Sequence, residues 1–247
     1  MKITIPYKPR PHQVDVHNKL QRFNVLVCHR RFGKTVLCIN EILKKCLENR
    51  LPRPRYYYIA PTYQMAKRTA WDYLKEYTSV LPDVQYHETE LRADLPNGGR
   101  IQLLGCERPD SLRGLYMDGV ILDEVAQMPT RLWTEIIRPA LSDREGFMIA
   151  IGTPQGHNAF WTLYDHANHQ DDWYAETFKA SETGIISELE LNEAKALMPP
   201  EIYEAEFECS FDSSAIGSIY ARGLNKADDD GRVTKVPYDE SLKVNTF

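Results

Sequence analysis

Four short apolar runs punctuate the chain: Asn24-Val25-Leu26-Val27, Tyr56-Tyr57-Tyr58-Ile59-Ala60, Gly119-Val120-Ile121-Leu122 and Phe147-Met148-Ile149-Ala150-Ile151. None alternates with polar residues, so each reads as a strand buried on both faces of a mostly parallel sheet. Apolar residues at helical spacing follow them, at about 35–48, 63–80 and 129–141. In the second of these, Met65, Ala66, Ala70, Trp71 and Leu74 form the inward face. Strands alternating with helices of this length predict an α/β chain.

The rest of the pattern is weaker. Residues 1–23 read as a Pro-rich lead and a short amphipathic helix, with Pro9-Arg10-Pro11-His12-Gln13 just ahead of that helix. Residues 48–55 carry prolines and charges and read as an exposed connection. Residues 84–105 read as a hairpin: one arm at 87–95, a turn at Asn97-Gly98-Gly99 and a return strand at 100–105. Residues 106–119 lack periodicity and read as a loop. A helix at 158–170, an alternating strand at 173–179 and helical runs at 187–197 and 200–208 follow, the last two split by Pro199-Pro200. From 212 on the chain is rich in Ser, Gly and Asp, and residues 228–232 read as a turn or an unstructured point.

Composition sharpens this picture in three places. With 247 residues and 43% hydrophobic content, one large α/β domain with an appendage is expected. No run of about 18 apolar residues is present and no apolar core follows Met1-Lys2, so neither a membrane span nor a secretory signal is expected. The five cysteines form no C-x-x-C pair, which argues against a zinc site or a disulfide framework and for a reducing compartment. Net charge is −5, yet residues 1–120 carry 20 Lys and Arg against 12 Asp and Glu. Residues 121–247 carry 10 against 23. A basic half could face phosphates, and dispersed solvated charge explains the asymmetry equally well.

Candidate chemistry sits at the ends of the apolar runs. Cys28-His29-Arg30-Arg31-Phe32-Gly33-Lys34-Thr35 lies between the first strand and its helix, the context a phosphate-binding loop requires. Lys34 can reach terminal phosphates and the Thr35 hydroxyl can hold Mg2+. Cys28 stands where the usual loop has its first Gly. About 90 residues later, the run ending in Asp123-Glu124 is a Walker B pattern. Asp123 can bind Mg2+ through water and Glu124 can polarise an attacking water. Either motif alone has a plain rival, a turn with a basic residue or a strand end with exposed acids; together they point to a nucleoside triphosphatase. A Gln at position 13 offers both a donor and an acceptor to an adenine edge, and a surface Gln at a helix start is the equal alternative. Ala60-Pro61-Thr62 reads as a strand-to-helix turn that also occurs in helicase and translocase cores. Thr153, in Gly152-Thr153-Pro154-Gln155-Gly156, is placed to sense a γ-phosphate or simply to end a strand. The His, Asp and Glu residues of 157–172 show no metal-ligand spacing.

Taken together these motifs resemble the ATPase domain of the large terminase subunit of tailed bacteriophages. The carrying residues are Cys28 to Thr35, Val120 to Glu124 and Ile151 to Gly156 with Phe160-Trp161, helped by Ala60-Pro61-Thr62 and Ser111-Leu112-Arg113-Gly114. The resemblance covers about residues 10–240. It implies a RecA-type P-loop NTPase fold of the ASCE class, α/β with a mostly parallel central sheet flanked by helices. A P-loop ATPase core is expected over 1–180, and a small C-terminal lid and linker region over 181–247. It implies ATP and Mg2+ as ligands, with Gln13, Arg30, Arg31, Gly33, Lys34 and Thr35 on the nucleotide and Thr35 and Asp123 on the metal. Glu124 is the implied catalytic acid. Arg30 acts on the γ-phosphate in cis, Arg113 acts in trans as an arginine finger of a neighbouring subunit, and Thr153 couples hydrolysis to movement.

The implied function is ATP hydrolysis coupled to translocation of double-stranded viral DNA into a capsid, in the host cell cytoplasm and with no membrane partner. The implied partners are double-stranded DNA, the portal protein and the small terminase subunit. A homo-oligomeric ring is expected in the assembly, with a monomer as the alternative in isolation. DNA contact is expected to be to the backbone, because packaging tolerates any sequence. Family members carry a C-terminal nuclease domain, and this chain stops about where that domain's first strand would start. Nuclease activity is therefore not expected of it. Two rival readings are a DExx-box helicase or translocase, which needs a second RecA-type domain, and a nucleotide-binding structural module that does not turn over. Glu124 argues against the latter.

Overall fold

A computed structural model describes residues 4–212, 227 and 230–233 of the chain. The four apolar runs become adjacent inner strands: β1 (Phe23–Cys28), β2 (Arg55–Ala60), β6 (Gly119–Asp123) and β7 (Phe147–Gly152). With β3 (Gln85–His87), β4 (Arg92–Asp94), β5 (Arg100–Gly105) and β8 (Trp173–Phe178) they form one sheet, in the order β3-β4-β5-β2-β6-β7-β1-β8. The strands from β5 to β8 in that order run parallel, while β4 is antiparallel to β5 and β3 to β4.

The lack of alternation in the runs has its cause in this arrangement. Leu26, Tyr58, Ile121 and Ile149 point into one apolar layer, and Val25, Ile59, Val120 and Met148 into the other. A strand covered on both sides has no face to give to polar residues. The first layer is closed by α2 (Lys34–Glu48) and by a helix running from α3 (Tyr63–Ala66) through a π-helical turn, Lys67–Trp71, into α4 (Asp72–Thr78). The second is closed by a π-helical segment, Leu132–Ile137, continued by α5 (Arg138–Ala140), and by α6 (Ala159–Asn168). Ahead of β1 lies α1 (Pro11–Lys19); after β8 come α7 (Ala180–Thr183), α8 (Glu188–Leu197) and α9 (Pro200–Glu206).

Several local expectations are corrected. Gln13 lies in the first turn of α1 rather than ahead of it, because Pro11 needs no N–H partner at a helix start. The expected single helix over 63–80 contains the π turn, and the expected 129–141 helix is π-helical over Leu132–Ile137. The first arm of the hairpin is broken at Leu91, whose φ of 48° ends pairing and makes a three-stranded meander. The Ser-, Gly- and Asp-rich tail expected from 212 lies outside the described residues except at 212, 227 and 230–233, where Asp230 and Gly231 form a turn. One compact unit runs over Met1–Ser213 and a second over Ser214–Phe247. Among the described residues no helix is long and apolar enough to cross a membrane.

Strand β7 sits between β1 and β6, so the phosphate loop and the acidic strand end are separated by one strand carrying the Thr153 turn. This is the RecA-type arrangement expected from the motifs. It places all three motifs at the same, C-terminal edge of the parallel strands, where α/β folds bind their ligands.

Candidate nucleotide-binding site

The phosphate loop begins as the last residue of a strand. Cys28 is still paired with Phe178 across β1 and β8, so its backbone is extended and needs no glycine. That accounts for the departure from the usual loop pattern. Its thiol is fully buried, and burial pushes its pKa far up, so it remains a neutral packing group. The strained positions come later. Arg31 has a φ of 69°, and Gly33, the N-cap of α2, has a φ of 94°. A Cβ at Gly33 would lie 2.8 Å from Nε2 of Gln13, so both conformation and space call for glycine there.

Gln13 and Arg10 brace the loop from outside. The Gln13 amide donates to the Gly33 carbonyl at 3.2 Å and accepts from the Arg10 N–H at 2.9 Å. The Arg10 guanidinium donates to the carbonyls of Arg31 and Phe32. On the other side the loop is bonded to the chain after β8. His29 N–H donates to the Phe178 carbonyl at 3.0 Å and Arg30 N–H to the Glu206 carbonyl at 2.9 Å.

Lys34, Thr35, Asp123, Glu124, Arg30 and Thr153 all line one cavity of about 220 Å3. The Lys34 ammonium donates to the Cys28 carbonyl at 3.3 Å and lies 4.0 Å from the Glu124 carboxylate. Glu124 follows β6 in the left-handed region, with a φ of 56°. This strained turn aims its carboxylate away from the sheet, beside Lys34, while Asp123 remains in the strand and is buried. A wider trough of about 1060 Å3 lies between α6, β8, α8 and α9, but neither the phosphate loop nor the acidic pair reaches it. Convergence of charge, not volume, marks the smaller cavity as the candidate site.

The remaining expected residues lie elsewhere. Gln13, Arg31 and Gly33 shape the loop without lining the cavity. Arg113 is half exposed beside a separate concavity, where it pairs with Asp110 at 2.9 Å and Glu135 at 3.2 Å. Sequence reasoning missed Glu206, Gln127, Gln155 and Thr69, which line the cavity. It also missed Tyr58, whose hydroxyl donates to Asp123. Glu206 lies more than 170 residues from Arg30 in an ordinary amphipathic run, and no pattern in the sequence signals it.

Burial, then the neighbouring Glu124 charge, push the Asp123 carboxyl up to about 6, against the opposing pull of Tyr58 and Lys34. A buried acid in that condition favours a positive partner. The donor set suits Mg2+: one hydroxyl and carboxylate oxygens, with room for phosphate oxygens and water. Among the described residues no group of three or more His, Cys, Asp or Glu could hold a metal alone. Thr35 and Asp123 fit an ion that arrives with its nucleotide.

A sequence model of the N-terminal part of large terminase subunits, T4-like-virus type, matches residues 29–226. The large terminase subunit of Thermus phage G20c is 30% identical over 177 residues, which are 64% of this chain and 36% of that protein. That of Escherichia phage T5 is 24% identical over 217 residues, 82% of this chain and 48% of that protein. The chain therefore spans between a third and a half of these relatives. Among solved structures, the large terminase ATPase domain of Thermus phage P74-26 superposes with a TM-score of 0.71 at 23% identity, over 84% of this chain and 95% of that one. The large terminase of a thermophilic bacteriophage, solved in complex with ATP-γ-S, gives 0.64 at 16% identity, over 83% and 49%. At these identities the superpositions establish the fold.

Proposed function

The chain belongs to the large terminase subunits, T4-like-virus type, and on that premise we propose that it is a DNA-packaging ATPase. It binds ATP in the 220 Å3 cavity and couples its hydrolysis to movement of double-stranded DNA into a capsid. One observation carries the reading: Lys34, Thr35, Asp123 and Glu124, from two motifs about 90 residues apart, face a single cavity.

Phosphoryl transfer requires positioning and charge stabilisation more than covalent chemistry. The Lys34 ammonium and the N-terminal N–H groups of α2 hold the terminal phosphates. Glu124, 4.0 Å from Lys34, orients the attacking water. Thr35 and Asp123 would hold Mg2+, which would supply positive charge to the phosphates. Arg30 reaches the γ-phosphate in cis from the cavity wall. Gln13 uses one N–H on the loop and one lone pair on the Arg10 N–H, which leaves one of each for an adenine edge. Arg113, outside the cavity and half exposed, acts on the site of a neighbouring subunit in a homo-oligomeric ring. Thr153, buried at the end of β7 and open to the cavity, passes γ-phosphate occupancy to α6. Residues 181–247 serve as lid and linker; the bonds from Arg30 to Glu206 and from His29 to Thr183 support a lid that moves with the loop. DNA, the portal protein and the small terminase subunit are the proposed partners, in the host cytoplasm.

The test is phosphate release by the purified chain, alone and assembled with portal-bearing capsids and DNA. Slow release alone and fast release in the assembly is expected. No release in either condition, at saturating ATP, would leave a nucleotide-binding module without turnover.

A further inference from the structure

Of the three consecutive tyrosines in β2, Tyr58 alone sends its hydroxyl to an acid of the candidate site. Tyr56 bonds to the Lys45 carbonyl and Asn49, and Tyr57 faces the opposite layer. Tyr58 pairs in register with Ile121 of β6, so its ring lies on the same face as Asp123, two residues further on. There the phenol donates to Oδ2 of Asp123. The ring is fully buried in the apolar layer, where a phenylalanine would fill the same space without a polar atom to satisfy. One hydroxyl thus holds the acid that fits a nucleotide-bound cation, from a strand that belongs to neither motif.

We propose that Tyr58 is a positioning residue for this cation site. Its O–H fixes the rotation of the Asp123 carboxylate, so that the free oxygen is presented at the geometry a small divalent ion demands. Groups that orient metal-binding side chains in this way are typically worth ~10- to 100-fold in metal affinity. The inference rests on the nucleotide-site reading of Asp123 and Thr35 and adds the residue that orients Asp123.

Tyr58→Phe removes a single oxygen. The measurement is the dissociation constant of a fluorescent ATP analogue, titrated against free Mg2+ and repeated in EDTA, with a thermal melt of each protein. In EDTA the variant should match wild type within about twofold, while its Mg2+ half-saturation rises about tenfold or more. An unchanged half-saturation would overturn the proposal, as would equal losses with and without Mg2+, which mark a purely structural role. If wild type itself shows no Mg2+ effect, the nucleotide-metal reading falls and this inference with it. A wild-type effect kept intact in Tyr58→Phe removes only the inference. Should Tyr58→Phe fail to fold because it strands the Asp123 charge, Asp123→Asn is compared with the Asp123→Asn, Tyr58→Phe double variant. No further change in Mg2+ dependence is expected, since Tyr58 acts through Asp123; a further tenfold loss would refute that route.

Discussion

The Nε of Arg30 lies 3.2 Å from a carboxylate oxygen of Glu206, and both side chains line the cavity that Lys34 and Glu124 share. A γ-phosphate on Arg30 would have to compete with that carboxylate and sit near its charge. Exposed ion pairs are worth roughly 0.2–1 kcal/mol, or up to about fivefold in binding. Glu206→Gln should therefore raise affinity for a non-hydrolysable ATP analogue about three- to fivefold and for ADP less than about twofold. Fluorescence titration reads both. An equal change for the two nucleotides would place Glu206 away from the third phosphate.

Glu124→Gln keeps the shape of the side chain and loses its basicity. It should bind ATP within a few-fold of wild type and hydrolyse it ~10²- to 10⁴-fold more slowly. Single-turnover hydrolysis measures this. Near-normal turnover would transfer the water-orienting role to another group, with Gln127 and Gln155 the adjacent candidates.

Arg113 is held by two exposed carboxylates outside the cavity, so Arg113→Ala should leave nucleotide affinity of the isolated chain unchanged. In the packaging assembly it should lower turnover by about 10³-fold or more, the usual contribution of an arginine finger. Comparing hydrolysis by dilute chain and by assembly separates the two. A loss of affinity in the isolated variant would place the residue in its own site.

His29 gives a pH dependence to the link between the loop and α7. Its Nδ1 donates to the Arg30 carbonyl, and its Nε2, 2.9 Å from the Thr183 hydroxyl, accepts from it. Burial, the largest cause, holds its pKa below the ordinary 6.5. The unfolded chain then takes up the proton first, so this contribution to stability is complete above pH 6.5 and is lost as pH falls below it. Melting temperature should drop between pH 7.5 and 5.5, and His29→Gln should flatten that slope. Parallel slopes for the two proteins would assign the acid sensitivity to other groups.

How much of this was legible beforehand depended on range. Asp123 and Glu124 could be read because they sit at the end of a buried strand, and Lys34 and Thr35 because they open the helix after one; apolar runs mark such strands within a few residues. Arg113 could be numbered but not placed, since its partners Asp110 and Glu135 come from a 3₁₀ turn and a π-helical segment without clear periodicity. Tyr58 was hidden because a phenol inside an apolar run looks like core until the strand beside it is known. The irregular helices at 67–71 and 132–137 were also beyond pattern reading, since a π turn shifts the period by one residue without leaving a local signal.

The sequence by itself determined the α/β class, the parallel inner strands and the two motifs, because burial on both faces and the backbone needs of a phosphate loop are local constraints. Only the tertiary structure decided the strand order, with β7 between β1 and β6, and therefore which side chains meet. Glu206 facing Arg30 and Tyr58 bonded to Asp123 follow from strand pairing and helix docking, which join residues far apart in the chain. Such contacts are set by how the whole core packs, and no stretch of sequence carries that information alone.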